Sequence, residues 1–314
     1  MKLLAPVLIL AAGAAWASED IPDQYPQSEL YEKPVEVIPY VWSAIGATAP
    51  PTYENSGHNN NLSFIVTDEG VVVINSGASA RLAAALHEEI KAVTDKPVVL
   101  VINENGQGHA MLGNSYWRDL GVDILAHADA IAETMENGDF ILQGMQRYNR
   151  DKAEGTRVEH ANLSFDDEYS VTLGGVEIKA LHLGPAHDPG DVQVWIPQWD
   201  IVIAGDIAFH ERMPPIFEHT CTSCWIETFD GPFTDLGATY VIPGHGHPTN
   251  MAQVTRYTSD YIKDLRAKIR DHIDEGGDLA GAFYVDQSRW QNLDTFEELA
   301  TRNAGRVFEE MEWE

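Results

Sequence analysis

VINENGQGHAMLGN, residues 101–114, connects an apolar run to a polar loop that carries a single imidazole. The run VVLVI, residues 98–102, has the length and β-branched composition of a buried strand, so the polar side chains after it emerge at a strand end. Two amides, Asn105 and Gln107, precede His109 in this loop. Polar loops at the ends of buried strands often carry binding and catalytic residues, so this segment is the first candidate for a functional site.

Strand and helix patterns alternate along the chain on both sides of this loop. Strands are predicted at residues 35–41, 62–67, 71–75, 98–102, 122–126, 169–173, 176–183, 192–196, 201–204 and 239–242. Helices are predicted at residues 79–93, 112–120, from residue 128, at 252–273 and at 295–311. Strands in both halves with helices outside them favour an α/β fold with four layers, an αβ/βα sandwich, as one compact domain.

The N-terminal sequence MKLLAPVLILAAGAAWASED has one Lys, an apolar run and small residues before a polar segment, as in a secretory signal peptide. We expect cleavage after Ala17, a flexible lead-in over residues 18–34, and a single domain with C-terminal helices over residues 35–314. The apolar run is short for a bilayer anchor, and no later segment predicts a membrane span. The sequence therefore predicts an exported, periplasmic protein.

The formal net charge is −29, from 49 acidic and 20 basic residues. Such a surface repels nucleic acid and anionic membranes, so neither is an expected partner. Solvation in a saline habitat and binding of a basic partner protein both remain open explanations. The apolar fraction of 44% is sufficient for a substantial core.

Four further motifs follow predicted strands: Asn75-Ser76-Gly77, the segment HLGPAHDPGD at residues 182–191, Ala204-Gly205-Asp206, and Pro243-Gly244-His245-Gly246. Together with the 101–114 loop, they resemble the motifs of metallo-β-lactamase-like hydrolases, in the same order, over roughly residues 35–275. The resemblance implies the metallo-β-lactamase-like form of the αβ/βα sandwich. Because each motif lies at a strand end, their polar side chains should meet at one edge of the two sheets.

The resemblance implies a metal site formed by His109, His187, Asp206 and His245. Three imidazoles and one carboxylate suit Zn²⁺ and would also accept Fe²⁺ or Mn²⁺. The family motif H-x-H-x-D-H supplies two imidazoles to a first metal, and the amides noted above stand at those two positions. We therefore expect one divalent ion, bound by His109, Asp206 and His245, with His187 as a possible fourth ligand.

A metal-dependent hydrolase is the function that this set of ligands favours. Asp206 would hold the metal and orient the attacking water, while Asn105 and Gln107 would be donors to the polarised substrate. The amide-containing loop is similar to that of the metallohydrolase of bacterial thiosulfate-oxidation (Sox) systems. That resemblance implies an ester, thioester or related sulfur-containing substrate, either a small molecule or a group bound to a carrier protein. The sequence does not predict the oligomeric state.

Two other classes of function remain open. A non-catalytic metal- or partner-binding protein could use the same scaffold, and an iron-dependent sulfur oxidoreductase could use the same four ligands. The pair Cys221 and Cys224 favours a local disulfide in an exported protein, with a redox pair or a reduced pair near the metal as alternatives. The polar stretch at residues 56–61 predicts a loop near the mouth of the site, with His58 as a candidate substrate contact.

Overall fold

The computed structural model describes residue 25 and residues 27–314. The expected signal peptide, residues 1–17, lies outside the described residues. Of the expected lead-in, residues 27–32 form turns and bends, and Leu30 and Tyr31 within them are buried. Leu30 packs with the core of the first sheet.

The first half of the described chain forms a seven-stranded sheet. Its strands are adjacent in chain order: β1 (Val35–Ile38), β2 (Val41–Ala44), β3 (Leu62–Val66), β4 (Val71–Ile74), β5 (Val98–Ile102), β6 (Asp123–His127) and β7 (Leu163–Phe165). β1 to β4 pair antiparallel, whereas β4 to β7 pair parallel. The single strand predicted at 35–41 is wrong, because Pro39 lacks a backbone N–H and Tyr40 has a φ of 74°, which turns the chain back.

A second, five-stranded sheet follows in the chain. Its strands are β8 (Glu168–Leu173), β9 (Val176–Leu181), β10 (Gln193–Ile196), β11 (Ile201–Phe209) and β12 (Tyr240–His245), in the order β12-β11-β10-β9-β8. The pairs are antiparallel except for the parallel pair β11 and β12. β11 is longer than the predicted 201–204, and all nine of its residues are buried.

Helices cover the outer face of each sheet. In the described chain they are α1 (Ala80–Val93), α2 (Gly108–Met111), α3 (Asn114–Asp119), α4 (Ala128–Asn149), α5 (Thr222–Thr228), α6 (Met251–Tyr257), α7 (Ser259–Asp274), α8 (Leu279–Ala282) and α9 (Phe296–Met311). The helix predicted at 252–273 is interrupted at Thr258, whose hydroxyl accepts a hydrogen bond from the backbone N–H of Phe209 at 2.8 Å. The helix predicted at 112–120 is α3, and the single turn α2 comes just before it.

Three apolar layers hold these elements together. One lies between the two sheets, with Ile65 and Ile74 from the first and Val194 and Ile203 from the second. The other two lie between the first sheet and α1 and α3, and between the second sheet and helices α5 to α9. The predicted α/β fold with an αβ/βα sandwich is confirmed. None of the helices in residues 27–314 combines the length and apolar character that a bilayer span requires.

Candidate metal centre

The loop after β5 is held by the loop after β4. The side-chain amide of Asn103 and the hydroxyl and backbone N–H of Ser76 all donate to the carbonyl of Ala110, at 2.7 to 2.8 Å. Asn75 accepts a hydrogen bond from the backbone N–H of Glu104 at 3.0 Å. These contacts between the Asn75-Ser76 motif and the 101–114 loop fix His109 in the first turn of α2.

Asp206 lies within β11, where the pairing with β12 is irregular on both sides of Gly205. Gly205 has a φ of 65°, a conformation that side chains other than glycine rarely adopt. A Cβ on Gly205 would lie 1.8 Å from Oε2 of Glu104, and a Cβ on Gly244 would lie 2.1 Å from Oδ1 of Asp206. The glycines of the two late motifs thus leave space for the carboxylates of the site.

His109, Asp206 and His245 converge on one point, with their ligand atoms all within 4.8 Å of one another. Nε2 of His109 lies 3.4 Å from Oδ2 of Asp206, and Nε2 of His245 lies 3.2 Å from Oδ1. The two imidazole rings are nearly perpendicular, with centroids 5.5 Å apart. The sequence-predicted residues from three distant segments are therefore brought together at the expected sheet edge.

Nδ1 of His245 faces both the carbonyl of Asn59 and Nη1 of Arg212, the latter at 3.0 Å. A guanidinium can only donate, so Nδ1 either accepts from Arg212 or donates to Asn59. When Nδ1 donates to the carbonyl, Nε2 is unprotonated and its lone pair is directed at Asp206. This is the tautomer that a metal ligand needs. The residues around His245 can thus support its ligating form.

His187 lies beside this cluster, with Nδ1 at 3.7 Å from Oδ2 of Asp206. The same nitrogen is 3.1 Å from Nε2 of Gln107. The His187 ring is fully buried against Phe217 and Trp225, with centroids 5.1 and 5.4 Å away. Coordination by His187 would require Nδ1 to exchange Gln107 for the metal.

The two loop amides occupy different positions relative to the site. Asn105 is buried, and its amide donates to Oδ2 of Asp206 at 3.4 Å and to Oδ1 of Asp191 at 3.5 Å. Its carbonyl accepts from the backbone N–H of Gln107 at 3.0 Å. Gln107 lies on the wall of a cavity, while Asn105 contacts the carboxylates behind it. The expected donor role toward a substrate stays a prediction for both.

The surroundings of His245 and Asp206 favour the protonation states in which these side chains bind a metal ion. Burial lowers the pKa of His245 to about 4, which leaves a neutral imidazole at neutral pH. Burial opposes ionisation of Asp206, but the adjacent imidazoles of His245 and His109 outweigh it and hold the pKa of this carboxyl well below its usual value. A neutral imidazole and an ionised carboxylate are the forms that bind a divalent cation.

Unsatisfied polar atoms provide a test of whether these residues fit a cation. Within the described chain, Nε2 of His109 and Oδ1 of Asp206 are buried without a hydrogen-bond partner. Buried polar atoms are nearly always paired, so unpaired ligand atoms at one point are expected where an ion binds. The donor set fits a divalent metal.

Comparisons with known proteins agree with this architecture. No protein-family model matches the chain. A metallo-β-lactamase type 2 from Bacteroides fragilis is 24% identical over 193 residues, which are 58% of this chain and 70% of that protein. A metallo-β-lactamase from Pontibacter korlensis superposes with a TM-score of 0.61 at 16% identity, over 74% of this chain and 98% of that one. The chain has the metallo-β-lactamase fold.

A second solved structure with this fold covers more of the chain. It is the stereoselective inverting sec-alkylsulfatase Pisa1 from Pseudomonas sp., with a TM-score of 0.69 at 17% identity. The match covers 90% of this chain but only 52% of the alkylsulfatase, so the chain spans about half the length of that protein.

Two buried ionisable residues at this site were not predicted from the sequence. Glu104 lies with Oε1 at 3.7 Å from Nε2 of His109, and Asn75 donates to it at 2.6 Å. Burial, and then the negative charges of Asp206 and Asp191, raise the pKa of Glu104 well above its usual value. Arg212 is only 7% exposed and lines the cavity. Glu104 is the second residue after β5, a position that could have identified it, whereas nothing in the local sequence distinguishes Arg212.

A cavity of about 420 Å³ opens beside the metal cluster. Its walls include Ile141 and Met145 from α4, Phe217 from the loop after β11, and Leu299 from α9. His58 does not reach it: the imidazole is buried, and its Nδ1 accepts from the backbone N–H of Tyr31 at 2.8 Å, so the expected substrate contact is wrong.

The cysteine pair follows a residue that contacts His187. Cys221 and Cys224 form a disulfide at the start of α5, as expected for a local disulfide. Thr220, the residue before it, donates through its hydroxyl to the carbonyl of His187 at 3.0 Å. The disulfide thus borders the segment that positions His187 and is not a source of thiolate ligands.

Proposed function

We propose that this protein is a metal-dependent hydrolase that activates water for attack on an ester, thioester or related sulfur-containing ester. The observation that carries the proposal is the convergence of His109, Asp206 and His245 beside a cavity, with unpaired ligand atoms on His109 and Asp206. A divalent ion bound there would supply a water of lowered pKa, about 7 against 15.7 in bulk, and a Lewis acid for the substrate oxygen.

A single-metal centre is the second part of the proposal. The amide of Asn105 lies against Asp206, and the amide of Gln107 lies against Nδ1 of His187. Both amides would compete with a second ion for the atoms that could hold it, and neutral amides are weaker ligands than imidazoles. Asn105 would orient the Asp206 carboxylate, and Gln107 would hold His187 in place beside the cluster.

The sulfur-containing substrate class rests on two resemblances. The loop sequence is similar to that of the thiosulfate-oxidation metallohydrolase, and the fold match with the widest coverage given above is an alkylsulfatase. Sulfate esters therefore belong in the substrate panel beside carboxylic esters and thioesters. Whether the substrate is a free small molecule or a group on a carrier protein is decided by assaying both.

The test is metal analysis combined with turnover. Protein purified from its own host is analysed for bound metals, and then the chelated, zinc-, iron- and manganese-loaded forms are assayed against aryl esters, thioesters and sulfate esters. We expect about one equivalent of metal and turnover that depends on it. His245→Ala should lose both, while His272→Ala, on α7 away from the site, should lose neither.

Three outcomes contradict the proposal. Full turnover in metal-free protein would exclude a metal-dependent reaction. Stoichiometric metal without turnover of any ester class would favour a non-catalytic binding protein, and bound iron with sulfur-oxidising activity would favour the oxidoreductase.

Export to the periplasm is also proposed. The N-terminal sequence has the features of a signal peptide, and the disulfide between Cys221 and Cys224 is a bond that persists in oxidising compartments. Fractionation of cells that express the full chain should place the protein in the periplasm, with a mature N-terminus at Ser18. Uncleaved protein in the cytoplasm would contradict this.

A further inference from the structure

The turn closed by Cys221 and Cys224 contains both cysteines of the chain. Each cysteine is half-buried, whereas Thr220, Thr222 and Trp225 around them are buried. Attack on a disulfide by an external thiolate requires access to its sulfur atoms. The cysteines are therefore the part of this turn that an external thiol can reach.

The bond contributes little to holding the fold together. The two cysteines are three residues apart, and the stabilisation that a disulfide gives by restricting the unfolded chain grows with the length of the loop it closes. Hydrogen bonds already fix the turn: the backbone N–H of Trp225 donates to the carbonyl of Cys221 at 2.9 Å, and that of Thr222 donates to Oε1 of Glu310 at 2.9 Å. The fold can therefore persist when the disulfide is broken.

The surroundings of Cys221 favour its departure as a thiolate. Its Sγ accepts a hydrogen bond from the backbone N–H of Cys224 at 3.2 Å, and Oγ of Ser223 lies 3.5 Å away. Donors at a sulfur stabilise its anionic form, and a disulfide is cleaved faster when the leaving sulfur is the more stable thiolate. An attacking thiolate would therefore bond to Sγ of Cys224 and displace Cys221.

Each cysteine adjoins a residue that contacts His187. Thr220, before Cys221, donates through its hydroxyl to the carbonyl of His187 at 3.0 Å. The ring of Trp225, after Cys224, lies with its centroid 5.4 Å from that of the His187 imidazole. The disulfide holds the Cα atoms of the two cysteines 5.3 Å apart, so it restrains the spacing of both contacts. Breaking the bond releases that restraint beside the candidate metal centre.

We propose that Cys221 and Cys224 are a redox-active pair, reduced by a dithiol partner, and that their bond controls the position of His187. A thiolate of the partner attacks Sγ of Cys224, the bond between the cysteines breaks, and Cys221 leaves as a thiolate that takes up a proton. The partner's second thiolate then displaces Cys224 from the mixed disulfide, and that sulfur is also protonated. Two electrons and two protons pass to the pair, and the partner becomes a disulfide. This inference does not depend on the proposed hydrolase function.

Reduction of the native full chain tests the redox activity. The protein is treated with dithiothreitol at several urea concentrations below the unfolding transition, and free thiols are counted by mass spectrometry after trapping with N-ethylmaleimide. We expect two thiols to form at a rate that does not depend on urea, with an unchanged far-UV circular dichroism spectrum, and oxidised glutathione to restore the bond. Reduction that follows the unfolded fraction, or that unfolds the protein, would show a structural disulfide and overturn the proposal.

Single variants locate the leaving sulfur. The thiol of Cys221 in Cys224→Ser should react with iodoacetamide at neutral pH about 3- to 10-fold faster than the thiol of Cys224 in Cys221→Ser, because more of it is thiolate. Adding Ser223→Ala to Cys224→Ser should reduce that advantage, whereas adding the exposed Ser288→Ala should not. Equal reactivity of the two thiols would show that Cys221 is not the preferred leaving sulfur.

Hydrogen exchange measures the link to His187. In the reduced wild type and in the Cys221→Ser, Cys224→Ser double variant, amides of residues 182–191 and 213–221 should exchange about 3- to 10-fold faster than in the oxidised protein, since a released restraint makes local opening easier. Amides of α1, which packs on the first sheet, are the internal control and should not change. The reduced wild type keeps the native sequence, so it also decides the question if the double variant does not fold. Unchanged exchange at residues 182–191 would overturn the control of His187.

Discussion

At the scale of single residues, the position of the Asp206 carboxylate depends on the absence of a side chain at Gly205. That residue has a φ of 65°, and an added Cβ would lie 1.8 Å from Oε2 of Glu104, which is itself buried beside His109. Gly121 has a φ of 80° with nothing within 4 Å of an added Cβ. An Ala at Gly121 would therefore cause backbone strain alone, whereas an Ala at Gly205 would cause the same strain and also displace Glu104 and the site beside it.

We predict that Gly205→Ala lowers the free energy of unfolding by more than 2 kcal/mol and weakens zinc binding. Gly121→Ala should lower the free energy by about 1 kcal/mol, the conformational penalty alone, and leave zinc binding intact. Urea denaturation of the metal-free proteins and zinc titration measure the two effects. Equal losses in both variants would show that Glu104 can move away without consequence.

A second residue-scale prediction concerns His58, which the fold holds in its neutral form. Burial lowers the pKa of His58 from 6.5 to about 3 and outweighs the backbone hydrogen bonds with Ala44 and Asn60, which act in the opposite direction. The bond that Nδ1 accepts from the backbone N–H of Tyr31 also requires the neutral ring. In the unfolded chain the imidazole takes up a proton below about pH 6.5, whereas in the folded chain it does so only near pH 3. Folded-state stability that is present above pH 6.5 is therefore lost as the pH falls toward 3.

For this single group the slope is about 1.4 kcal/mol per pH unit. His58→Asn keeps an acceptor for the Tyr31 N–H but cannot titrate, so we expect its free energy of unfolding to fall less steeply with acid than that of the wild type. Ile90→Val, a buried change on α1, should shift the whole curve by about 1 kcal/mol without changing its slope. Urea denaturation between pH 4 and pH 7 is the measurement, and parallel wild-type and His58→Asn curves would contradict it.

The convergence of His109, Asp206 and His245 could be predicted because each belongs to a short motif at a strand end. The position of Arg212 could not be predicted, because this residue lies in the loop after β11 and is buried only where His245 and the start of α9 pack against that loop. His58 was misplaced for the same kind of reason: a run of polar letters predicts a loop, but it does not say which polar groups the fold buries.

At the scale of elements, α9 positions the wall of the cavity through one buried side chain. Asn303 donates to the carbonyl of Pro214 at 2.8 Å and to the hydroxyl of Tyr261 at 2.9 Å, and it accepts from the backbone N–H of Ile216 at 3.0 Å. It thereby connects α9 to α7 and to the segment that runs from Arg212 to Phe217.

We predict that Asn303→Ala lowers the free energy of unfolding by on the order of 3 kcal/mol, because the Ile216 N–H and the Pro214 carbonyl lose their partners in a buried place. Thr301→Ala, an exposed change on the same helix, should stay within about 0.5 kcal/mol of wild type. Urea denaturation of both variants measures the difference. A small effect at Asn303 would mean that the connection is not needed to hold the segment.

Most elements could be predicted from periodicity, and the differences have local causes. β11 continues past Ala204 because, after the irregularity at Gly205, pairing with β12 resumes as far as Phe209. A hydrophobicity pattern that stops at the charged Asp206 does not reveal this. The helix predicted at 252–273 is interrupted at Thr258, where a side-chain contact to Phe209 replaces helical geometry. Both irregularities are produced by tertiary contacts.

At the scale of the whole molecule, a net charge of −29 sets the response of the fold to salt. Excess like charge destabilises a compact state by self-repulsion, and salt shortens the range of that repulsion to about 10 Å at 0.1 M. Salt also weakens attractive ion pairs such as Arg157 with Asp119, but exposed pairs contribute at most about 1 kcal/mol each and often nothing measurable. Repulsion among the unbalanced carboxylates should therefore dominate.

We predict that the free energy of unfolding in urea rises by a few kcal/mol as sodium chloride increases from about 0.01 M to 1 M at pH 7, with most of the gain below about 0.3 M, where the screening length changes most. Near pH 4.5, where many carboxylates are protonated and the net charge is smaller, the same salt increase should have a much smaller effect. A free energy that falls with salt at pH 7 would mean that specific ion pairs, rather than net repulsion, dominate the electrostatics of this fold.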